Sequence, residues 1–196
     1  MKAREARIQK VVFRRKKEGK TNYRRRIKLL LSGKPRFVIR QSLKNILCQI
    51  IEYSPGGDKV MLSATSSELN KFGWKLDKTN LPAAYLTGLL MGKKAKGKIK
   101  EAVLDTGLAS LTKGSKIFAC LKGAVDGGIK INYSEDIMPS QDRISGKHIA
   151  DYSLKLKNNK ELYQKLFSRY IKDNIDPANI VKYFEETRKK IIQGEK

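Results

Sequence analysis

The sequence predicts an α/β fold: a small mixed sheet with flanking helices, preceded by an extended basic N-terminal arm and followed by a helical C-terminal extension. Three observations predict it. Three β-rich runs follow one another between residues 36 and 65, joined by short turn sequences. Strand-like and helix-like segments then alternate to about residue 134. Beyond residue 142 the apolar residues recur at helical spacing. Charge divides the chain in the same way: of the formal net +24, residues 1–44 carry +15, residues 45–150 carry +5 and residues 151–196 carry +4. The expected parts are therefore a basic arm over residues 1–34, an α/β core over 35–134 and a helical extension over 135–196.

The first 34 residues have few apolar positions at any regular period and include Arg14-Arg15-Lys16-Lys17 and Arg24-Arg25-Arg26. Like-charge repulsion favours an arm that orders on its partner. Its second half places Ile27, Leu30 and Leu31 at i, i+3, i+4 spacing, which predicts a helix docked by that stripe. Arg24, Arg25 and Lys28 would then face outward, and Gly33 with Pro35 would end the helix. Phe13 and Tyr23 lie beside the two basic clusters. That interleaving suits phosphate neutralisation with base stacking, and equally suits packing of the rings on the body.

Residues 36–42, 46–53 and 59–65 read as strands, separated by a short link containing Asn45 and by Ser54-Pro55-Gly56-Gly57-Asp58. Links this short predict an antiparallel meander. Ser66 or Ser67 is placed to cap a short helix over 68–72, which Gly73 breaks before Trp74, a core or edge anchor. Asn80 with Pro82 opens a longer helix through Gly92, ending in the cluster Lys93, Lys94, Lys96, Lys98 and Lys100. Residues 101–105 read as a buried strand, 115–125 as an amphipathic helix capped by Ser115 and stopped by Gly127-Gly128, and 129–132 as a last short strand. In the extension, a helix is expected over 142–152. Leu162, Leu166 and Tyr170 with Tyr163, Phe167 and Ile171 form a second helical stripe. Asp176-Pro177 starts a final helix carrying Ile180, Val181, Phe184, Arg188 and Ile191, so the tail packs on the core or on a neighbour.

A net charge of +24 repels the chain from itself and draws it to polyanions, of which nucleic acid is the natural one. No apolar run approaches the ~18 residues a spanning helix needs, and the N-terminus is basic where an export signal would be apolar, so no membrane partner and a cytoplasmic location are expected. Cys48 and Cys120 sit among apolar neighbours, the pattern of buried free thiols rather than a disulfide. His148 is the single histidine and there is no Cys-x-x-Cys, so no metal site is expected. The segment Gly88 to Lys94 has one residue too few between its glycines for a phosphate loop and lacks the following Ser/Thr, and close helix packing is the better reading of it. Glu101, Asp105, Asp126, Glu135 and Asp136 form no spaced motif. The expectation is a non-enzyme without a cofactor. Two alternatives are a metal-dependent nuclease using Asp105 and Asp126, and a DNA-packing protein.

Several blocks resemble one known family. They are Gly19-Lys20-Thr21-Asn22-Tyr23, Ser32-Gly33-Lys34-Pro35-Arg36, Phe72-Gly73-Trp74-Lys75 and the run from Asn80 to Leu90, followed by the runs from Glu101 to Leu108, Gly123 to Gly128 and Asp142 to Ala150. Together, over residues 12–152, they resemble the universal ribosomal protein family eighteen in its archaeal and eukaryotic form, and the length is similar to that of the archaeal members. The resemblance implies a core of ribonuclease-H-like topology without that enzyme's activity. It also implies a protein that attaches 5S rRNA to large-subunit rRNA in the central protuberance, beside the family-five protein. Carried onto this sequence, the implied RNA contacts are Arg14, Arg15, Lys17, Lys20, Tyr23, Arg24, Arg25, Arg26 and Lys28, with Lys34, Arg36 and Arg40 beside them and Lys93, Lys94, Lys96 and Lys98 in a second rank. One departure is Ile131-Asn132-Tyr133, where the family pattern has Pro-His after the isoleucine.

Overall fold

The computed structural model describes residues 11–194, so the first ten residues of the expected arm lie outside the described part. Four strands form one mixed sheet in the order β3-β2-β1-β4. β1 (Arg36–Gln41), β2 (Ile46–Glu52) and β3 (Lys59–Thr65) make the expected antiparallel meander, and β4 (Val103–Asp105) returns parallel to β1. The first link is closed by the Ser42 amide donating to the Asn45 carbonyl at 2.8 Å, and the second turns on Gly57 at φ 143°. The expected strand at 129–132 is reduced to one parallel bridge, Glu101 with Lys130, so β4 is nearly an edge. Only the Lys130 backbone continues the ladder, through its amide to the Lys100 carbonyl and its carbonyl to the Ala102 amide.

The pleat gives the sheet two unlike faces. Phe37, Ile39, Cys48, Ile50 and Ala64 point inward and are buried in the hydrophobic core. Arg36, Val38 and Arg40 alternate with them on β1 and share the outer face with Ile51 and Asp105 across the registers. Helices α1 (Arg14–Lys17) and α2 (Tyr23–Leu30) precede the sheet; α2 is the helix expected in the second half of the arm, and α1 adds a short turn of helix where none was expected.

Against the inner face lies α3 (Leu81–Ala95), capped by Asn80 accepting the Ala83 amide at 2.8 Å. Nearly all of it is buried, as an almost uniformly apolar helix requires. It packs on α4 (Lys116–Asp126) through glycines that bring the two backbones together. A Cβ added at Gly88 would come within 1.9 Å of the Cys120 carbonyl oxygen, and one at Gly123 within 2.0 Å of that of Tyr85. Cys48 and Cys120 are free thiols buried where β2 meets α4. Two caps differ from expectation. Thr65, not Ser66 or Ser67, starts the 3-10 helix Ser66–Phe72, because its hydroxyl and the Glu68 carboxylate complete a reciprocal capping box. Ser115 precedes α4, but its buried hydroxyl makes no hydrogen bond among the described residues.

The extension contains α5 (Gln141–Ser145), α6 (Lys147–Leu156), α7 (Lys160–Leu166), α8 (Ser168–Lys172) and α9 (Ile180–Gln193). Gly146, at φ 87°, splits the expected 142–152 helix into α5 and α6. Ile180, Phe184 and Ile191 of α9 enter the same core as the sheet, so this part of the tail packs on the body. Of the 162–171 stripe, Phe167 is buried, whereas Leu162, Leu166 and Ile171 remain exposed. Trp74 is fully buried, its indole N–H donating to the Asp77 carbonyl at 3.0 Å.

Two predictions follow from this packing. Gly88→Ala or Gly123→Ala drives a methyl into a backbone carbonyl, so either should lower unfolding free energy in urea by about 1–3 kcal/mol or more. His148 titrates below its ordinary 6.5, chiefly because burial disfavours its charged form and secondarily because of the Arg143 charge. A lowered folded-state value means the stability present above pH 6.5 is lost as pH falls. Since it is the only histidine, the melting temperature should drop between pH 7.5 and pH 5.5, and His148→Gln should flatten that drop.

Candidate nucleic-acid interface

The arm is fastened to the outer face of the sheet by a relay of charges. Asn22 caps α2 by accepting the Arg25 amide at 3.1 Å, which starts the helix with its arginines over the sheet. Arg25 then donates to the Gly107 carbonyl and to the Thr106 hydroxyl, each at 3.1 Å. Arg26 donates to both Asp58 oxygens at 2.8 and 2.9 Å. Asp58 also accepts from Arg36 at 2.6 Å, and the other terminal nitrogen of Arg36 donates to Asp105 at 2.7 Å. The Gly107 amide closes the relay on Asp105 at 2.9 Å. Arg36 is only 4% exposed, so its positive charge is compensated by carboxylates rather than water.

This geometry corrects the expected docking. Ile27 is 56% and Leu31 80% exposed, whereas Arg25 and Arg26 face the body and Leu29 and Leu30 are half-buried. The helix is rotated because the surface beneath it presents Asp58, Thr106 and the Gly107 carbonyl. An apolar stripe would leave these acceptors unpaired, and arginines satisfy them. Arg24 and Lys28 do face outward as expected.

Apart from Lys34 and Arg40, the cations expected to meet RNA therefore fall into three groups. Arg14, Arg15, Lys17, Lys20, Arg24 and Lys28 are exposed along the arm. The turn carrying the first four is shaped by Glu18, which pairs with Arg14 at 3.6 Å and Lys20 at 2.9 Å, and by Arg15 donating to the Thr21 hydroxyl at 2.9 Å. Tyr23 packs on Phe13 with ring centroids 5.0 Å apart. Arg25, Arg26 and Arg36 form the second group, engaged within the protein. The placement of Arg36 argues against its being a direct contact, since it is buried between two carboxylates. Lys34 pairs with Glu101 and stands at the edge of the sheet, and the pairing, together with Lys130, holds the Glu101 carboxyl below its ordinary range. The third group is apart from the arm. Lys94, at the end of α3, donates to the Ser63 carbonyl and pairs with Glu68, Lys93 is half-buried, and Lys96 and Lys98 are exposed.

Between α2 and the outer face lies a cavity of about 530 Å³. Val38, Ile51, Leu29 and Leu108 supply its apolar surface, and Arg15, Lys20 and Arg40 line it with charge. Sequence reasoning missed this recess and the roles of Asp58 and Asp105. Asp58 read as the end of a turn, and Asp105 as a carboxylate without a motif. The nuclease alternative placed Asp105 with Asp126, but Asp126 is bound by the Tyr85 hydroxyl and Lys122 elsewhere in the fold. Burial and that contact push the Tyr85 phenol well above its ordinary range. No group of three or more potential metal-ligating side chains occurs among the described residues. No helix among them is long and apolar enough to cross a membrane.

The model of the family described as ribosomal large subunit proteins 60S L5 and 50S L18 matches residues 7–102 and 93–134. The chain is also 48% identical over 184 residues to the large ribosomal subunit protein uL18 of Methanococcus maripaludis, covering 93% of this chain and 95% of that protein. The chain belongs to this family of large-subunit ribosomal proteins. As a member of the L5/L18 family it is a structural component of the ribosome and not an enzyme. The exposed arm cations and their buried fastening are thus features of a ribosomal protein.

Breaking the relay should have two separable effects. Arg36→Met leaves Asp105 buried without its partner and should cost about 3–5 kcal/mol in a urea titration. Asp58→Asn should accelerate hydrogen exchange across residues 23–30 while leaving α3 protected, because it weakens the hold on Arg26 and Arg36 at the outer face without touching the inner core.

Proposed function

We propose that this ribosomal protein binds 5S rRNA through its arm and attaches it to large-subunit rRNA in the central protuberance, beside the family-five ribosomal protein. The observation that carries the reading is the division of the arm cations into a set docked on the body and a set exposed to solvent. Arg25 and Arg26 orient α2, and this leaves Arg14, Arg15, Lys17, Lys20, Arg24 and Lys28 exposed on a positioned scaffold. Such cations displace condensed counterions along a phosphate chain, and holding them in place reduces the ordering cost of binding. Tyr23 and Arg40 adjoin them. Lys34 lies at the sheet edge, and the lysines 93, 94, 96 and 98 form a separate cationic site suited to a second RNA segment.

The test is filter binding of a 5S rRNA transcript across a salt series. With ~6–10 phosphates neutralised, affinity should fall ~10³- to 10⁵-fold between ~50 and ~200 mM salt. Replacing the six exposed arm cations by glutamine should reduce the log–log salt slope by roughly 5, and deleting residues 1–28 should remove at least as much. A complex indifferent to salt, or a slope unchanged in both variants, would refute the reading.

A further inference from the structure

We infer that the recess between α2 and the outer face of the sheet is a nucleotide pocket, which takes one RNA residue standing out of its helix. This rests on the RNA-binding role proposed above and specifies what the RNA must present there. The volume of about 530 Å³ falls in the range of ~300–1,000 Å³ typical of pockets for small organic groups. Its surface combines two chemistries. Val38 and Ile51 form an apolar floor from adjacent strands, and Leu29 and Leu108 add apolar walls. Arg15, Lys20 and Arg40 add cationic charge beside Arg25, Arg26 and Arg36, and the carboxylates of Asp58 and Asp105, which also line it, are each engaged by arginine.

A duplex backbone alone does not account for this combination. Phosphates on a double helix lie on a convex surface and gain nothing from an apolar recess, and the paired bases of A-form RNA show only their edges, in a deep major groove or a shallow minor one, while their faces stay stacked. An unstacked residue offers both an apolar base face and its own phosphate. Arg40 is placed for the second. It has no ion pair or side-chain hydrogen bond among the described residues, and its guanidinium lies directly against Gly107, where an added Cβ would come within 2.1 Å of Nη1. Gly107, at φ 60°, thus lets the arginine lie against the backbone. The Arg36–Asp105 pair in its wall keeps the recess from collapsing, since neither charge can move into an apolar contact without losing its partner.

The experiment uses the full chain with p-benzoylphenylalanine at position 108, an exposed loop site, photo-crosslinked to a 5S rRNA transcript and mapped by reverse-transcription stops. One dominant stop at an unpaired residue is expected. A ladder of stops along a duplex, or no crosslink in a complex that still forms, overturns the pocket. In parallel, Leu108→Trp and Ile51→Trp fill the recess without altering any cation. Each should weaken binding roughly 5- to 100-fold with the salt slope intact. Should Ile51→Trp fail to give a native circular dichroism spectrum, Leu108→Trp decides. Unchanged affinity in the folded variants overturns the pocket while leaving 5S binding in place, whereas a wild-type protein that ignores the transcript refutes both. A labelled nucleoside monophosphate that crosslinks as efficiently without RNA as the transcript does would reassign the recess to free nucleotides and overturn the inference.

Discussion

Arg36 sits between Asp58 and Asp105 with almost no access to solvent, and the rest of the interface depends on how that charge is held. Taking a guanidinium and a carboxylate out of water costs several kcal/mol per ion, and the interior repays it only where geometry is good and remaining donors find acceptors. Here both terminal nitrogens of Arg36 are matched, while Nε has no partner among the described residues. The gain is specificity of position. Asp58 accepts from Arg26 and Arg36 together, so the strand and the arm helix share one carboxylate and a helix rolled onto its leucines would break that sharing.

The relay is possible because the two faces of the sheet are built for different neighbours. The inner face is closed by α3, whose backbone approaches that of α4 so nearly at Gly88 and Gly123 that no side chain fits between. That side is decided by dispersion and burial, which are non-directional and dense. The outer face is decided by directional contacts: one carboxylate at the start of β3, one at the end of β4, and a hydroxyl and carbonyl in the loop that follows. Between α2 and these contacts lies the recess.

A chain of net +24 would be expected to hold its most basic segment away from itself. The structure reconciles docking with repulsion by compensating only the charges nearest the body. Asp58, Thr106 and the Gly107 carbonyl neutralise or solvate Arg25 and Arg26, and Glu18 steadies the turn before α2. Arg24 and Lys28 receive no such compensation among the described residues and project from the far side of the same helix. Residues 23–30 are thus held against the body, with Arg24 and Lys28 directed outward.

Much of this was legible from local pattern. Period-2 alternation and turn residues placed β1 to β3 to within a residue, Asn80 and Pro82 placed the start of α3, and the run of motifs pointed to the ribosomal family. What a short window could not show were contacts made across the sequence. The rotation of α2 hangs on Asp58, Thr106 and Gly107, some 30 to 80 positions away, so an apolar stripe read in isolation selected the wrong face. Gly146 divided a helix through a left-handed turn, and the 129–132 strand shrank to a bridge because only the Lys130 backbone lies beside the sheet edge. The sequence by itself determined most of the elements, the strand alternation and the concentration of charge, all of which follow from nearest-neighbour chemistry. Tertiary structure alone decided which arginines are bound inside and which remain free, because a charge is neutralised by whatever the fold brings within hydrogen-bond reach.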